Sequence, residues 1–302
     1  MPGKKHPILI VVIILAITVL FLGGIMALIL SLSGTSSRLA FGEKIGIIPL
    51  EGPITDSEPI LSQLVEFRKD DRIKVIILRI NSPGGAVGPS QEIYREVRRT
   101  TETKKVIASL GSLAASGGYY VASAADKIVA NPGTITGSIG VIMEFLQLED
   151  LLKKFGINLE VLKSGEFKDI GSPHRGMSKR EKALIMELIS DVQSQFVEAV
   201  ATGRGLPVEK VMEVADGRIF TGARAKELGL VDSLGNFQDA VRLAKEMALI
   251  KGEPTMVYPE KSRVTVWDLL FQSAAKTFVK TLTDNLRGNI GYRWHGFYAE
   301  LP

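Results

Sequence analysis

The chain alternates short apolar runs with segments whose apolar positions recur at helical spacing. The run at residues 73–80 is interrupted only by Lys74 and Arg79, a pattern typical of a strand that is covered on both faces. Further strands are predicted at 44–54, 106–110, 128–130, 136–145, 159–162 and 231–232. Strands that alternate with helices in this way predict an α/β domain with a mainly parallel sheet.

Between most of these strands, apolar residues recur at helical spacing. Pro59 opens an amphipathic helix, and Ser178 precedes a long helix that we expect to reach residue 202. The remaining helices are predicted at 89–99, 148–155, 207–215, 222–228 and 237–249, with a further apolar helical pattern at 264–286. Residues 163–175 (KSGEFKDIGSPHR) have neither pattern and are predicted to form a loop.

A long uncharged segment stands near the N-terminus, at residues 7–32. As a helix it would be about 39 Å long, more than a bilayer core of about 30 Å. It is longer than the apolar core of a signal peptide, and no small-x-small cleavage site ends it, so we expect an uncleaved membrane anchor. Two lysines in the short N-terminus favour a cytoplasmic start, which would place the rest of the chain outside the cytoplasm.

Composition narrows the chemistry that the chain can perform. The 302 residues include no Cys, which excludes disulfides, thiolate nucleophiles and zinc–thiolate sites. The net charge of +4 is mild, and there is neither a long basic run nor a base-stacking aromatic cluster. We therefore expect no nucleic-acid partner.

The segment VIASLGSLAASGG (residues 106–118) has the composition of a nucleophile site. It predicts a buried strand, a Gly-Ser turn, and a helix that begins near Ser116. A serine in a first helical turn is surrounded by unpaired backbone N–H groups, and small neighbours let a substrate approach. The alternative is that Ser116 only caps the helix, as Ser often does.

The sequence NSPGG (residues 81–85) follows a buried strand and suggests an oxyanion hole. Consecutive glycines let a backbone N–H turn toward a ligand, and this donor together with the N–H of Gly117 would hold an oxyanion beside Ser116. The alternative is a Pro-Gly turn without a ligand. A base for Ser116 could be His174, His295 or a lysine with a lowered pKa, and spacing does not choose among them. The motifs of ordinary esterases, zincins and P-loop ATPases are absent.

Three motifs in order, NSPGG, GSLAASGGYYVASAADKIVANPGTITGSIGV and KSGEFKDIGSPHR, resemble the S49 peptidases of the signal peptide peptidase type. The resemblance covers roughly residues 44–247 and implies a ClpP/crotonase-like α/β fold behind one N-terminal transmembrane helix. It identifies Ser116 as nucleophile and Lys168 as general base. It further implies that Ser138 orients the lysine and that Gly85, with Gly84 as the alternative, and Gly117 form the oxyanion hole.

The same resemblance implies a membrane-anchored serine endopeptidase that degrades remnant signal peptides with a Ser-Lys dyad. It implies a homo-oligomeric ring whose dyad is assembled between neighbouring subunits, at the cell (inner) membrane, without a metal or another cofactor. The corresponding organisation is a cytoplasmic N-terminus (1–6), an anchor (7–32), a linker (33–43), a peptidase domain (44–257) and a C-terminal helix and tail (258–302). The alternatives are an envelope quality-control protease with the same dyad, and an inactive membrane scaffold.

Overall fold

A computed structural model describes residues 15, 17–24 and 43–259, and the backbone of 290–293. The chain divides into two compact units, Met1–Phe41 and Gly42–Pro302. In the first unit residues 17–24 are helical and exposed. Within the described residues, no helix is both long enough and apolar enough to cross a membrane. Most of the predicted anchor (7–32) and all of the predicted helix at 264–286 lie outside the described residues.

The second unit alternates strands and helices as the pattern predicts. In chain order its elements are β1 (Lys44–Glu51), α1 (Glu58–Lys69), β2 (Ile73–Ser82), β3 (Gly84–Ala86), α2 (Val87–Thr101), β4 (Lys105–Ala115), α3 (Gly117–Ala122), β5 (Lys127–Ala130), β6 (Ile135–Gly137), β7 (Ile142–Met143), α4 (Glu149–Lys154), α5 (Lys179–Arg204), α6 (Val208–Met212), β8 (Ile219–Thr221), α7 (Gly222–Glu227), β9 (Ser233–Leu234), α8 (Phe237–Met247), β10 (Thr255–Val257) and β11 (Ile290–Arg293).

Most of these strands form one sheet with the order β10-β1-β2-β4-β5-β9, to which β6 and β8 are added beside β4. All pairings in this sheet are parallel except that of β6 with β8. Apolar side chains pack on both faces: α1, α2, α3 and α5 cover one, and α8 covers the other. The expectation of an α/β domain with a mainly parallel sheet is confirmed, and β2 is buried on both faces as its pattern predicts.

The long helix α5 begins where its sequence predicts. Ser178 accepts a hydrogen bond from the N–H of Glu181, and the Glu181 carboxylate accepts one from the N–H of Ser178, which together form a capping box. The helix ends at Gly205, whose φ of 63° is in the left-handed region.

Two predictions for the segments near the functional residues are wrong. The Gly-Ser turn after residue 110 does not exist, because β4 continues through Gly111 and Ser112 to Ala115. The register of β4 against β2 shifts there, and the Asn81 side chain fills the irregularity by accepting a hydrogen bond from the N–H of Leu113. The predicted strand 136–145 is divided into β6 and β7, because Ser138 has a φ of 51°.

Two further strand predictions also differ from the structure. Residues 159–162 are not a strand, and their apolar side chains are exposed, Leu162 at 91%. The apolar pattern there is real, but no strand of the described part of the chain lies beside it. The strand predicted at 231–232 begins two residues later, as β9 at Ser233.

Candidate active site

Ser116 lies at the junction between β4 and α3, at the carboxyl edge of the sheet. Its backbone has φ 54° and ψ −121°, a conformation that costs a non-glycine residue about 1–3 kcal/mol. Two backbone hydrogen bonds hold it there: the Ser116 N–H donates to the Gly137 carbonyl at 2.8 Å, and the Ser116 carbonyl accepts from the N–H of Tyr120 at 2.8 Å. A residue fixed in a strained conformation at a strand–helix junction is a common feature of active sites.

The Ser116 hydroxyl is buried and has no hydrogen-bond partner within the described residues. Ser116 occupies the N-cap position of α3, but its side chain accepts no capping hydrogen bond. The interpretation of Ser116 as a helix cap is therefore wrong. A buried hydroxyl without a partner destabilises the folded state by about 1–3 kcal/mol, and no contact of this hydroxyl within the described residues offsets that cost. The hydroxyl is therefore available to react, and the described residues supply no base for it.

Two glycines bring backbone amides together beside this serine. A Cβ added to Gly117 would lie 3.2 Å from the amide nitrogen of Gly85, so the two residues are in close contact. A Cβ on Gly85 would lie 2.0 Å from the carbonyl oxygen of Ile54, so only glycine fits there. The N–H of Gly84 already donates to Ser82 Oγ at 3.1 Å, which leaves Gly85 as the better candidate donor.

The strand β3 has one edge toward Ile54 and the other toward β11. The Ile54 N–H donates to the Gly84 carbonyl, and the Ala86 N–H donates to the Ile54 carbonyl. Because strand residues alternate in direction, the N–H of Gly85 points to the opposite edge. There β11 runs antiparallel between β3 and β7, with Tyr292 opposite Gly85. The edges of β3 and β7 therefore accept an extended chain next to Ser116.

Ser138 is held next to the same edge of the sheet. Ala115 and Gly137 are partners across β4 and β6, so Ser116 and Ser138 follow paired residues on neighbouring parallel strands. The side chain of Ser138 is buried, and its N–H donates to the Arg218 carbonyl at 2.8 Å. Topology thus brings Ser116, Ser138, Gly85 and Gly117 to one place.

Lys168 is not brought to this place within one chain. It lies in the segment between β7 and α5, where residues 144–180, here called the arm, include no buried residue. Lys168 is exposed, and the structure shows no hydrogen bond or ion pair of its side chain in the described part of the chain. Since Ser116 Oγ has no partner, the two proposed dyad residues do not meet in a single copy.

Asp169, next to Lys168, is bound by two basic side chains of the arm. Its carboxylate accepts hydrogen bonds from Arg175 and Lys163, with distances of 2.7–2.8 Å. These cations hold the pKa of the Asp169 carboxyl well below its ordinary value. Arg175 also binds Glu181 and, together with a hydrogen bond from the Ser178 N–H, lowers the pKa of that carboxyl to about 2. Sequence reasoning missed Arg175 and Glu181, although the capping-box spacing of Ser178 and Glu181 was available as a signal.

The two tyrosines that follow Gly118 have structural contacts, and His174 does not contact Ser116. Tyr119 is fully buried and donates from its hydroxyl to the Leu230 carbonyl at 2.8 Å, and burial raises its pKa strongly. Tyr120 packs against Phe196 and Tyr94, and burial raises its pKa to about 12. His174 lies on the arm, near Glu149, and is not a hydrogen-bond partner of Ser116.

The sequence was compared with known families and proteins. The model of peptidase family S49 matches residues 98–251, which include Ser116, Ser138 and Lys168. The chain belongs to peptidase family S49. The Clp protease model matches residues 37–134, which include Gly85 and Ser116, in agreement with the ClpP-like α/β fold. This S49 peptidase is a serine endopeptidase.

Individual relatives agree with this assignment. A Synechocystis sp. protein assigned as a protease is 46% identical over 215 residues, 71% of this chain and 76% of the relative. The chloroplastic serine protease SPPA of Arabidopsis thaliana is 36% identical over 80% of this chain and 37% of its own. An Enterococcus faecium protein assigned as signal peptide peptidase SppA is 40% identical over 63% of this chain and 56% of its own.

Proposed function

We propose that this S49 peptidase is membrane-anchored and hydrolyses extended peptides, remnant signal peptides among them, with Ser116 of one copy and Lys168 of a neighbouring copy. The observation that carries the proposal is the state of Ser116. Its backbone is strained, its hydroxyl is buried without a partner in the described part of the chain, and the adjacent Gly117 is in close contact with the amide of Gly85. Lys168, in contrast, is exposed on the arm. Each chain therefore contains both dyad residues, but holds them at two separate places.

The proposed reaction follows the logic of a serine nucleophile with a lysine base. Neutral Lys168 accepts the Ser116 hydroxyl proton while Oγ bonds to the scissile carbonyl carbon. The electron pair of the carbonyl moves to oxygen, where the N–H groups of Gly85 and Gly117 stabilise the negative charge. The lysinium then gives its proton to the leaving amine as the C–N bond breaks. Lys168 next deprotonates a water molecule, which hydrolyses the acyl ester and restores the Ser116 hydroxyl.

In this scheme Ser138 is proposed to orient the lysine. Ser138 follows β6 and Ser116 follows β4, two neighbouring parallel strands, so both serines lie at the same edge of the sheet. A lysine that enters from a neighbouring copy would meet both serines there. A hydrogen bond from the ammonium or amine to Ser138 would direct the lysine lone pair toward Ser116.

The groove beside Ser116 supports an extended peptide as the substrate. The chain's own β11 lies between β3 and β7 with antiparallel pairing to both. A substrate that took the place of β11 would gain the same backbone hydrogen bonds, which is β-strand addition. An extended, small-residue peptide fits this mode. Signal peptides left in the membrane have this character, and the name of the Enterococcus relative points to the same substrate class.

The membrane part of the proposal comes from the sequence. The uncharged residues 7–32 would anchor the chain, with the peptidase domain outside the cytoplasm, and the open side of a homo-oligomeric ring would lie near the bilayer. No metal or cofactor enters the proposed reaction.

The proposal is tested by mixing two inactive variants. We would purify the full chain in detergent and measure hydrolysis of a fluorogenic small-residue peptide by wild type, Ser116→Ala and Lys168→Ala. Both variants should lose activity by about 10⁴-fold or more when expressed alone. Co-expressed in equal amounts, they should recover about a quarter of wild-type activity, because about a quarter of the interfaces would combine an intact Ser116 with an intact Lys168.

The outcomes separate the parts of the proposal. If the co-expressed variants stay inactive while each still assembles, the dyad does not form between copies. If Lys168→Ala keeps its activity, the base is another residue. His174→Ala serves as the control, because His174 lies on the same arm and takes no part in the reaction; this variant should keep wild-type activity.

A further inference from the structure

The loop that contains Lys168 is held by one arginine. Arg175 donates from Nε and Nη2 to the two carboxylate oxygens of Asp169, at 2.8 and 2.7 Å. From Nη1 and Nη2 it donates to the carboxylate of Glu181, at 2.9 and 2.5 Å. This two-sided contact, here called the arginine clamp, joins the residue next to Lys168 to the first turn of α5.

The clamp lies in the least exposed part of the arm. The Glu181 side chain is 3% exposed, Asp169 10% and Arg175 29%. Planar guanidinium groups that bind two carboxylates in this way combine several charge-assisted hydrogen bonds in one fixed geometry, which lysine cannot reproduce. The capping box of Ser178 and Glu181 anchors the far side of the clamp to α5.

Several residues around Lys168 make side-chain contacts, whereas its own side chain makes no hydrogen bond or ion pair in the described part of the chain. Lys163 donates to the Glu166 carbonyl and to Asp169, and Arg180 binds the Glu166 carboxylate and stacks over the Phe167 ring. The Lys168 N–H donates to the Gly165 carbonyl, which places the residue in a tight turn. The turn therefore presents the Lys168 side chain outward from a rigid base.

The clamp also determines which cations the Asp169 carboxylate contacts. A carboxylate one residue from an amine favours the protonated form of that amine if it turns toward it. Here the carboxylate is bound to Arg175 and Lys163 and is withheld from Lys168. The charged and titratable groups that surround the clamp are Lys163, Glu166 and His174 on the arm, Glu149 on α4, and Arg180, Glu181 and Lys182 on α5.

We infer that Arg175 is a positioning residue for Lys168: it fixes the turn that presents the lysine and keeps the Asp169 carboxylate away from it, so that the lysine can act as a neutral base. The inference rests on the proposed role of Lys168. It assigns to Arg175 a part in the reaction that is distinct from holding the fold, because loss of the clamp should change the pH at which the enzyme works.

The test is the pH profile of kcat/KM for the full-length protein with a fluorogenic peptide. Arg175→Gln should reduce kcat by about 10–100-fold through misplacement of the base, with KM nearly unchanged. It should also move the acid limb of the profile to higher pH by about half a unit to one unit, because the Asp169 carboxylate, then held by Lys163 alone, is less fully neutralised and favours the protonated lysine. The double variant Arg175→Gln/Asp169→Asn should return the limb to its wild-type position, although kcat stays low.

Lys153→Gln is the matched control, since it removes an exposed cation from the arm but leaves the clamp and the contacts around Lys168 in place. It should keep the wild-type limb and most of kcat. A purely structural role of Arg175 would lower kcat without moving the limb, and this result would overturn the inference. So would a double variant whose limb stays as high as that of Arg175→Gln.

Arg175→Lys decides the question if Arg175→Gln does not fold. Lysine keeps a cation in this cluster but cannot bind both carboxylates in one geometry, so Asp169 is held less well, kcat should fall, and the limb should rise by part of the shift expected for Arg175→Gln. A wild-type kcat or an unmoved limb in Arg175→Lys would contradict the inference. Lys168→Ala, measured in parallel, identifies failure of the proposed function itself: if that variant is active, the base is another residue, whatever Arg175 does.

Discussion

Gly117 shows how little space the candidate site allows at the scale of one residue. An added methyl group there would lie 2.6 Å from Ser90 Oγ and 3.2 Å from the Gly85 amide nitrogen. We expect Gly117→Ala to separate the two proposed oxyanion donors and to lower kcat/KM by about 10²-fold, as the loss of one such donor does elsewhere. The measurement is peptide hydrolysis together with thermal unfolding.

Gly88→Ala is the matched control for this substitution. It lies in α2, and an added Cβ there meets nothing within 4 Å. Alanine favours a helix over glycine by about 0.5–1 kcal/mol, so activity should stay at the wild-type level and the melting temperature should not fall. If both variants are equally active, the amides of Gly117 and Gly85 do not serve as an oxyanion hole.

At the scale of an element, β11 occupies the groove in which a substrate would bind. Tyr292 lies opposite Gly85 in an antiparallel pair. Tyr292→Pro removes a backbone donor and fixes φ near about −65°, away from the roughly −140° of an antiparallel strand, so the pairing should weaken. We expect a lower KM for a short peptide, by about two- to tenfold, since the peptide no longer competes with β11. Tyr292→Ala keeps the N–H and should behave like wild type; an equal change in both variants would refute competition by the strand backbone.

The arm as an element should loosen in acid. Arg175 lowers the pKa of the Glu181 carboxyl from its ordinary value of 4.5 to about 2, and with Lys163 it lowers that of Asp169 further. A carboxyl whose pKa is lower in the folded state stabilises that state above its unfolded pKa and loses this contribution as pH falls toward the folded value. The arm should therefore become susceptible to pepsin between about pH 4.5 and pH 2. Glu181→Gln should remove most of this pH dependence, whereas an arm cleaved equally at pH 4.5 and pH 2 would contradict it.

Sequence patterns predicted the strands and helices whose apolar side chains are buried in the core. They failed for segments whose structure depends on residues that are distant in sequence, or that have no partner among the described residues. The buried strands β2 and β5 and the capped helix α5 follow from periodicity and from Ser178. The continuation of β4 through Gly111 does not, because it depends on Asn81 of another strand. Residues 159–162 have a strand-like pattern but no strand partner among the described residues. Ser116 was found from local composition, but its unpaired hydroxyl is a three-dimensional property, and the choice of Lys168 came only from resemblance to a family.

At the scale of the whole molecule, contacts among the described residues of one copy do not cover the apolar side chains of the arm. It exposes large apolar side chains, among them Leu162 at 91% and Phe155 at 73%. Apolar surface that is concentrated on one projecting segment is typical of a contact between proteins. The same segment contains Lys168, and the unpaired Ser116 lies on the body of the chain. Assembly and activity should therefore depend on the same surface.

Leu162→Asp tests this dependence in the full-length protein. A charge in an apolar contact between copies costs several kcal/mol, so the variant should sediment as a smaller species and lose peptidase activity in parallel. Leu249→Asp is the matched control, because Leu249 is 83% exposed outside the arm; it should assemble and hydrolyse peptide as wild type does. Ser116→Ala should assemble fully and stay inactive. If Leu162→Asp remained active as a single copy, Lys168 would have to reach Ser116 within one chain, and the arm would need another purpose.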